Sequence, residues 1–312
     1  MAAVLAITGP IYIIIAIGWL SARFGLFARS DMRVFGKFVL QLALPALLFH
    51  TLSQRPASDV LNGTYLLAYL LGSLIAAGAG FAWARWARGK GLTEASVFAL
   101  GTSCSNSGFI GFPLMLQLVG PTAGVALALN MIVENVVIMP LTLMLAGMGM
   151  AQAGGDDWRQ ALKTSLLSLA RNPMIIAIVL GLLFAFAGWH LPAPAERAMG
   201  LFATSCGALA LFVIGGSLTG LKAEGLWLDV PAIVIGKLLL HPLAVLSMLW
   251  LLPPIDPLLR TAAVVSAAVP MLGIYPVLAQ KYGFDGLCAA AQLAATLASF
   301  VTLTGLLWVL HV

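Results

Sequence analysis

Residues 103–113 read SCSNSGFIGFP and lie within a stretch otherwise apolar enough to cross a bilayer. Ser105, Asn106 and Ser107 supply hydroxyl and amide groups there, Gly108 frees the backbone, and Pro113 removes a backbone donor. A second stretch, VPMLGIYP at 269–276, repeats the theme with Pro270, Met271, Gly273 and Pro276. An unpaired backbone group in hydrocarbon costs several kcal/mol, so such breaks are tolerable only where they line a cavity or pair inside protein. The N-terminal end of a half-helix carries partial positive charge and favours an anion such as a carboxylate, while an exposed carbonyl end could hold a cation. Pro113 and Pro276 are expected in the first turn of the second half of each broken helix, where the missing N–H has no partner. The plain alternative is a pair of proline kinks healed by neighbouring Ser and Thr. Two related breaks make that the weaker reading.

A carboxylate at helix centre costs at least ~2.5 kcal/mol on insertion scales, so Glu134 in ALNMIVENVVIMPL must face protein or water, take a proton, or pair. Asn130 lies one turn earlier on the same face, and Gln292, Thr296 and Ser299 recur at helical spacing near the other end of the chain. Glu134, Asn130, Gln292 and Thr296 are therefore candidates to carry a coupling proton or hold sodium; the alternative is a purely structural acid. Lys237 and His241 stand one turn apart; Lys237 is expected to reach toward the cytoplasmic interface, and His241 to fill a hydrogen-bonded packing role. Gln41, with Pro45 and His50, could face a substrate path.

The elements that must position these groups follow from composition. The 312 residues are 61% hydrophobic and 9% charged, against roughly 25% charged in an average soluble domain, so the chain reads as a multi-pass membrane protein. Apolar stretches fall near 3–21, 35–53, 62–84, 94–119 and 121–146, then near 171–188, 198–219, 231–252, 260–281 and 286–310. The first carries no basic leader and reads as an uncleaved span. Of the 16 Lys and Arg, all but Arg55, Arg197 and Arg260 fall in the loops after the odd-numbered stretches. By the positive-inside rule both termini face outward, and the linker at 147–170 is cytoplasmic. That linker separates a first unit, 1–146, from a second, 171–312. Five spans in each unit place the two in opposite orientations. FPLMLQLVG at 112–120 aligns with YPVLAQKYG at 275–283, and beyond it Asn130 aligns with Gln292 and Glu134 with Thr296, which argues for an inverted-topology repeat.

At NSGFIGFPL in the fourth stretch, and at Pro270 with LAQKYG in the ninth, the chain resembles the auxin efflux carrier family of secondary transporters, with the short linker of its bacterial organic-acid carriers. The resemblance implies an all-α fold of ten transmembrane helices, arranged as 5+5 inverted repeats with crossed discontinuous helices 4 and 9, as in sodium/bile-acid symporters. It implies a scaffold of spans 1, 2, 6 and 7, a mobile core of spans 3–5 and 8–10, an elevator mechanism, and a homodimer through the scaffold. Asn106 and Pro113 match the family's first crossover and Pro270 its second, although Met271 and Leu272 follow where a polar residue would make contacts.

A net charge of +5 spread between apolar runs excludes a nucleic-acid partner, leaving membrane lipid and a small organic anion. Cys104, Cys206 and Cys288 show no metal or disulfide spacing, and no HExxH or GxSxG appears, so an enzyme is disfavoured. No cofactor is expected beyond a coupling proton or sodium ion. The expected function is secondary transport of a malonate-like carboxylate across the cell inner membrane. A passive anion channel or a receptor module using the same crossover is the competing reading.

Overall fold

The computed structural model describes residues 2–55, 61–152, 167, 170–217 and 228–309. Most of the linker lies outside the described residues, with Arg159 and Lys163, as do Lys222 and His311. The described chain is helical: α1 (Ala2–Arg23), α2 (Ser30–Ser53), α3 (Gly63–Ala87), α4 (Leu92–Ser103), α5 (Ser107–Val119), α6 (Thr122–Met150), α7 (Pro173–Ala187), α8 (Ala193–Ser217), α9 (Asp229–Leu251), α10 (Pro257–Ala268), α11 (Tyr275–Gln280) and α12 (Asp285–Val309). Among the described residues, α2, α3, α6, α8, α9 and α12 are long and apolar enough to cross a membrane. Shorter apolar helices run over Gly9–Arg23, Ser107–Val119, Pro173–Ala187 and Pro257–Ala268. Trp86, Trp250 and Trp308 are exposed near helix ends, where a membrane interface favours them.

Local chemistry sets the helix starts. Asn62 caps α3 by accepting from the Tyr65 N–H at 2.8 Å. Asn172 caps α7 in the same way, Asp256 caps α10, and a proline follows each at the first helical position. Four π-helical turns share one cause. Val39–Ala43, Ser107–Gly111, Val133–Ile138 and Gly236–Leu240 each end two residues before a proline (Pro45, Pro113, Pro140 and Pro242). Proline has no N–H for the usual bond, and its ring crowds the preceding turn, so the helix widens there. Pro113 stands in the first turn of the α-helical stretch Phe112–Val119, as expected from sequence, although the half-helix as a whole opens earlier. That half-helix begins at Ser107, and Pro113 follows its wide turn. Pro276 sits in the first turn of α11.

Two packed groups result. Helices α1, α2, α7 and α8 pack on one another, and α3, α4, α6, α9, α10, α11 and α12 form a second group. Within the first group α1 and α8 touch backbone to backbone: a Cβ on Gly215 would overlap the Ile15 carbonyl. Helix α5 lies between the groups, meeting α1 and α8 on one side and α6 and α10 on the other.

Candidate functional site

Helix α4 ends at Ser103, because Cys104 turns extended, and α5 starts at Ser107, after three intervening residues. Helix α10 ends at Ala268, because Val269 is extended, and α11 starts at Tyr275. The two interruptions meet. Ser105 and Met271 form an antiparallel bridge, in which the Asn106 N–H donates to the Pro270 carbonyl at 2.8 Å. Each break thus satisfies part of the other's backbone. The Asn106 side chain caps α5 by accepting from the Phe109 N–H at 3.3 Å, and its backbone carbonyl takes the Ile110 and Gly111 N–H groups. Tyr275 anchors α11 by donating its hydroxyl to the Val97 carbonyl of α4 at 2.9 Å.

Glu134 sits in the wide turn of α6, 3% exposed. Its Oε1 accepts from the Tyr69 hydroxyl at 2.8 Å, the Ser107 hydroxyl at 2.9 Å and the Ser105 N–H at 3.2 Å. A carboxyl group does lie on the donors of the first break, but it belongs to the protein. One turn back, Asn130 accepts from the Tyr65 hydroxyl at 2.8 Å, and its Nδ2 has no partner among the described residues.

Lys237 departs from expectation. It does not reach the interface: it is fully buried in the wide turn of α9, and its Nζ donates to the Ala267 carbonyl at 2.6 Å and contacts His241 Nδ1 at 3.2 Å. A lysine extends to water only when no nearer acceptor is free, and the carbonyl end of α10 supplies one. His241 is hydrogen-bonded in the interior, its Nε2 2.9 Å from the Ser73 hydroxyl, with its ring against Tyr69.

The remaining candidates are spread around this core. Ser107 turns its hydroxyl to Glu134, Ser105 gives Glu134 its N–H while its hydroxyl accepts from Tyr69, and Gly108 packs on Leu44 of α2, where a Cβ would lie 2.9 Å from Leu44 Cδ1. Pro113 lies beside Gly207 of α8. Pro270 and Met271 are buried in the bridge, and Gly273 is exposed beside it. Gln292 Nε2 donates to the Gly273 carbonyl at 3.2 Å, and Asn106 Nδ2 lies on the same glycine. Two amide groups therefore flank one accessible stretch of backbone. Thr296 and Ser299 turn their hydroxyls back onto their own helix and line a small cleft with Tyr12 and Ile110. Gln41 is exposed, and its side chain makes no hydrogen bond among the described residues. Sequence reasoning missed Tyr65 and Tyr69. With Ser73 they recur every four residues on α3, a polar stripe at helical spacing within an apolar span.

A model of the family described as "Membrane transport protein" matches residues 4–308, nearly the whole chain. The chain belongs to this family. This bears out the resemblance to auxin efflux carriers read from its motifs. Among its relatives, a Rhizobium meliloti protein named "Putative malonate transporter" is 29% identical over 316 residues, covering 100% of this chain and 97% of the relative. The Escherichia coli K12 "Uncharacterized transporter YfdV" is 27% identical, covering 96% of this chain and 95% of its own. The protein is a multi-pass membrane transporter, and its two helix breaks are joined to each other by the Ser105–Met271 bridge.

Proposed function

We propose that this transporter carries a small malonate-like organic anion by alternating access, with the anion bound where Asn106, Gln292 and Gly273 meet. The observation that carries the reading is the bridge between the two interrupted helices. Buried breaks of this kind need a partner or a cavity, and they mark binding sites in transporters built from inverted repeats. Asn106 Nδ2 and Gln292 Nε2 are donors suited to a carboxylate, beside backbone that solute can reach. The 29% identical relative's name supports a dicarboxylate of malonate size.

In this reading ten spans form two inverted repeats. The group of α1, α2, α7 and α8 is the scaffold, through which a homodimer would form, and the other group moves against it as an elevator. The positive-inside asymmetry supports both termini facing outward, and the cell inner membrane is the proposed location. Glu134 is the coupling group, taking up and releasing a proton beside the substrate. Asn130, one turn away, orders Tyr65 on the same face.

The test is uptake of labelled malonate into proteoliposomes. Saturable, exchangeable flux that falls when Asn106 is replaced by serine is expected. Flux that does not saturate would favour the channel reading, and no organic-anion flux at all would remove this one.

A further inference from the structure

Ala267 lies in the last turn of α10, whose final carbonyls have no intrahelical N–H to accept from. Such an end carries partial negative charge and, at a break inside a transporter, is where a coupling sodium would be held. In this chain the place is taken. Lys237 Nζ is 2.6 Å from the Ala267 carbonyl, and the lysine is 0% exposed. His241 supports it from the next turn. With its Nε2–H donating to the Ser73 hydroxyl, the Nδ1 lone pair faces the ammonium at 3.2 Å. The other titratable groups around Lys237 are Glu134 and Cys104, and the acid and the amine each serve one of the two broken helices. Glu134 accepts from the donors at the first break, and Lys237 donates to the carbonyl end at the second.

We propose that the Lys237 ammonium is the resident cation of the helix crossing, filling the seat that a coupling sodium would otherwise occupy. The transporter therefore runs without sodium, and removing the amine opens a sodium site. With Lys237 shortened, the Ala267 carbonyl and the His241 Nδ1 lone pair lose their partner, and a small monovalent cation restores it. This rests on the transport reading only for its meaning in flux, because sodium binding can be measured with no organic anion present.

The experiment follows melting of the purified full chain in sodium chloride against equal choline chloride, together with binding of radioactive sodium. Wild type is expected to melt at the same temperature in both salts and to bind no sodium saturably. Lys237→Ser is expected to bind sodium saturably and to melt about 2–4 °C higher in sodium than in choline. A Lys237→Ser chain that folds only in sodium also supports the proposal. Saturable sodium binding by wild type overturns it, whether or not the variant folds, and so does a folded Lys237→Ser chain indifferent to sodium. Lys237→Gln, which keeps length and hydrogen-bonding but not charge, is read by the same criteria. If the sodium pattern holds but no organic anion moves, the transport reading fails and the assignment of Lys237 stands.

Discussion

Glu134 and Tyr69 meet at 2.8 Å in the interior, and the same carboxylate oxygen also takes the Ser107 hydroxyl and the Ser105 N–H. One acid thereby holds together α3, α6 and the first helix break. Glu134→Ala takes an acceptor from three buried donors, of which only the Tyr69 hydroxyl has a second one in Ser105 Oγ, at about 1–3 kcal/mol for each donor left unpaired, and is expected to abolish folding or lower the melting temperature severely. Glu134→Gln keeps an acceptor oxygen and is expected to fold, with uptake that no longer varies with pH. Melting curves and uptake across a pH series check both.

Tyr69→Phe removes one of those donors without changing shape. The expected loss is about 1.5–3 kcal/mol against Glu134, the range for a hydrogen bond to a charged group. The loss should shrink in a Glu134→Gln background, and a double-mutant cycle on melting free energies reads the difference.

Asn106 has two separable duties, since Oδ1 caps α5 and Nδ2 faces Gly273. Serine preserves a capping oxygen and lacks the amide donor. Asn106→Ser is therefore expected to keep its stability within about 1 kcal/mol of wild type while malonate uptake falls about tenfold or more. Equal uptake by the two proteins would separate Asn106 from the substrate.

Gly108 lets α5 approach α2 closely, because any Cβ there meets Leu44. Gly108→Val is expected to slow uptake about tenfold by forcing the two helix groups apart, for a cost of ~1–3 kcal/mol. Leu44→Ala in the same chain should restore part of it. Transport rates of the single and double variants decide the point.

Asp229 starts α9, nearly buried, and takes Arg88 at 3.3 Å and Lys90 at 3.0 Å, while Lys90 also pairs with Glu94 at 2.8 Å. Hydrogen bonds from Lys90 to Glu94, then to Asp229, raise its pKa above the ordinary 10.5. A raised lysine contributes stability that is fully present below its unfolded value and is lost as pH climbs through the folded one. Asp229→Asn should therefore cost the same, about 1 kcal/mol per pair at most, at about pH 7 and about pH 9. Melting at the two pH values checks this.

How much of the site the sequence disclosed depended on whether a residue's partners were near it in the chain. The two breaks were legible because Gly, Pro and Asn act on their own backbone. Glu134 stood out because a carboxylate in an apolar span has no ordinary place. Lys237 was misplaced because its acceptor, Ala267, lies 30 positions along on another helix, and nothing local to Lys237 signals a free carbonyl. Tyr65 and Tyr69 passed as apolar bulk, since a tyrosine's role rests on what its hydroxyl meets 65 residues away.

By itself the sequence determined that this chain lives in a bilayer, where its apolar stretches run, where two of them fail, and the family to which it belongs. Hydropathy and backbone restriction are properties of neighbouring residues, so they can be read in one dimension. The tertiary structure alone decided that the two failures pair through Asn106 and Pro270, and that Glu134 and Lys237 are held inside. Hydrogen bonds act over about 3 Å, and only folding brings such distant groups within that range.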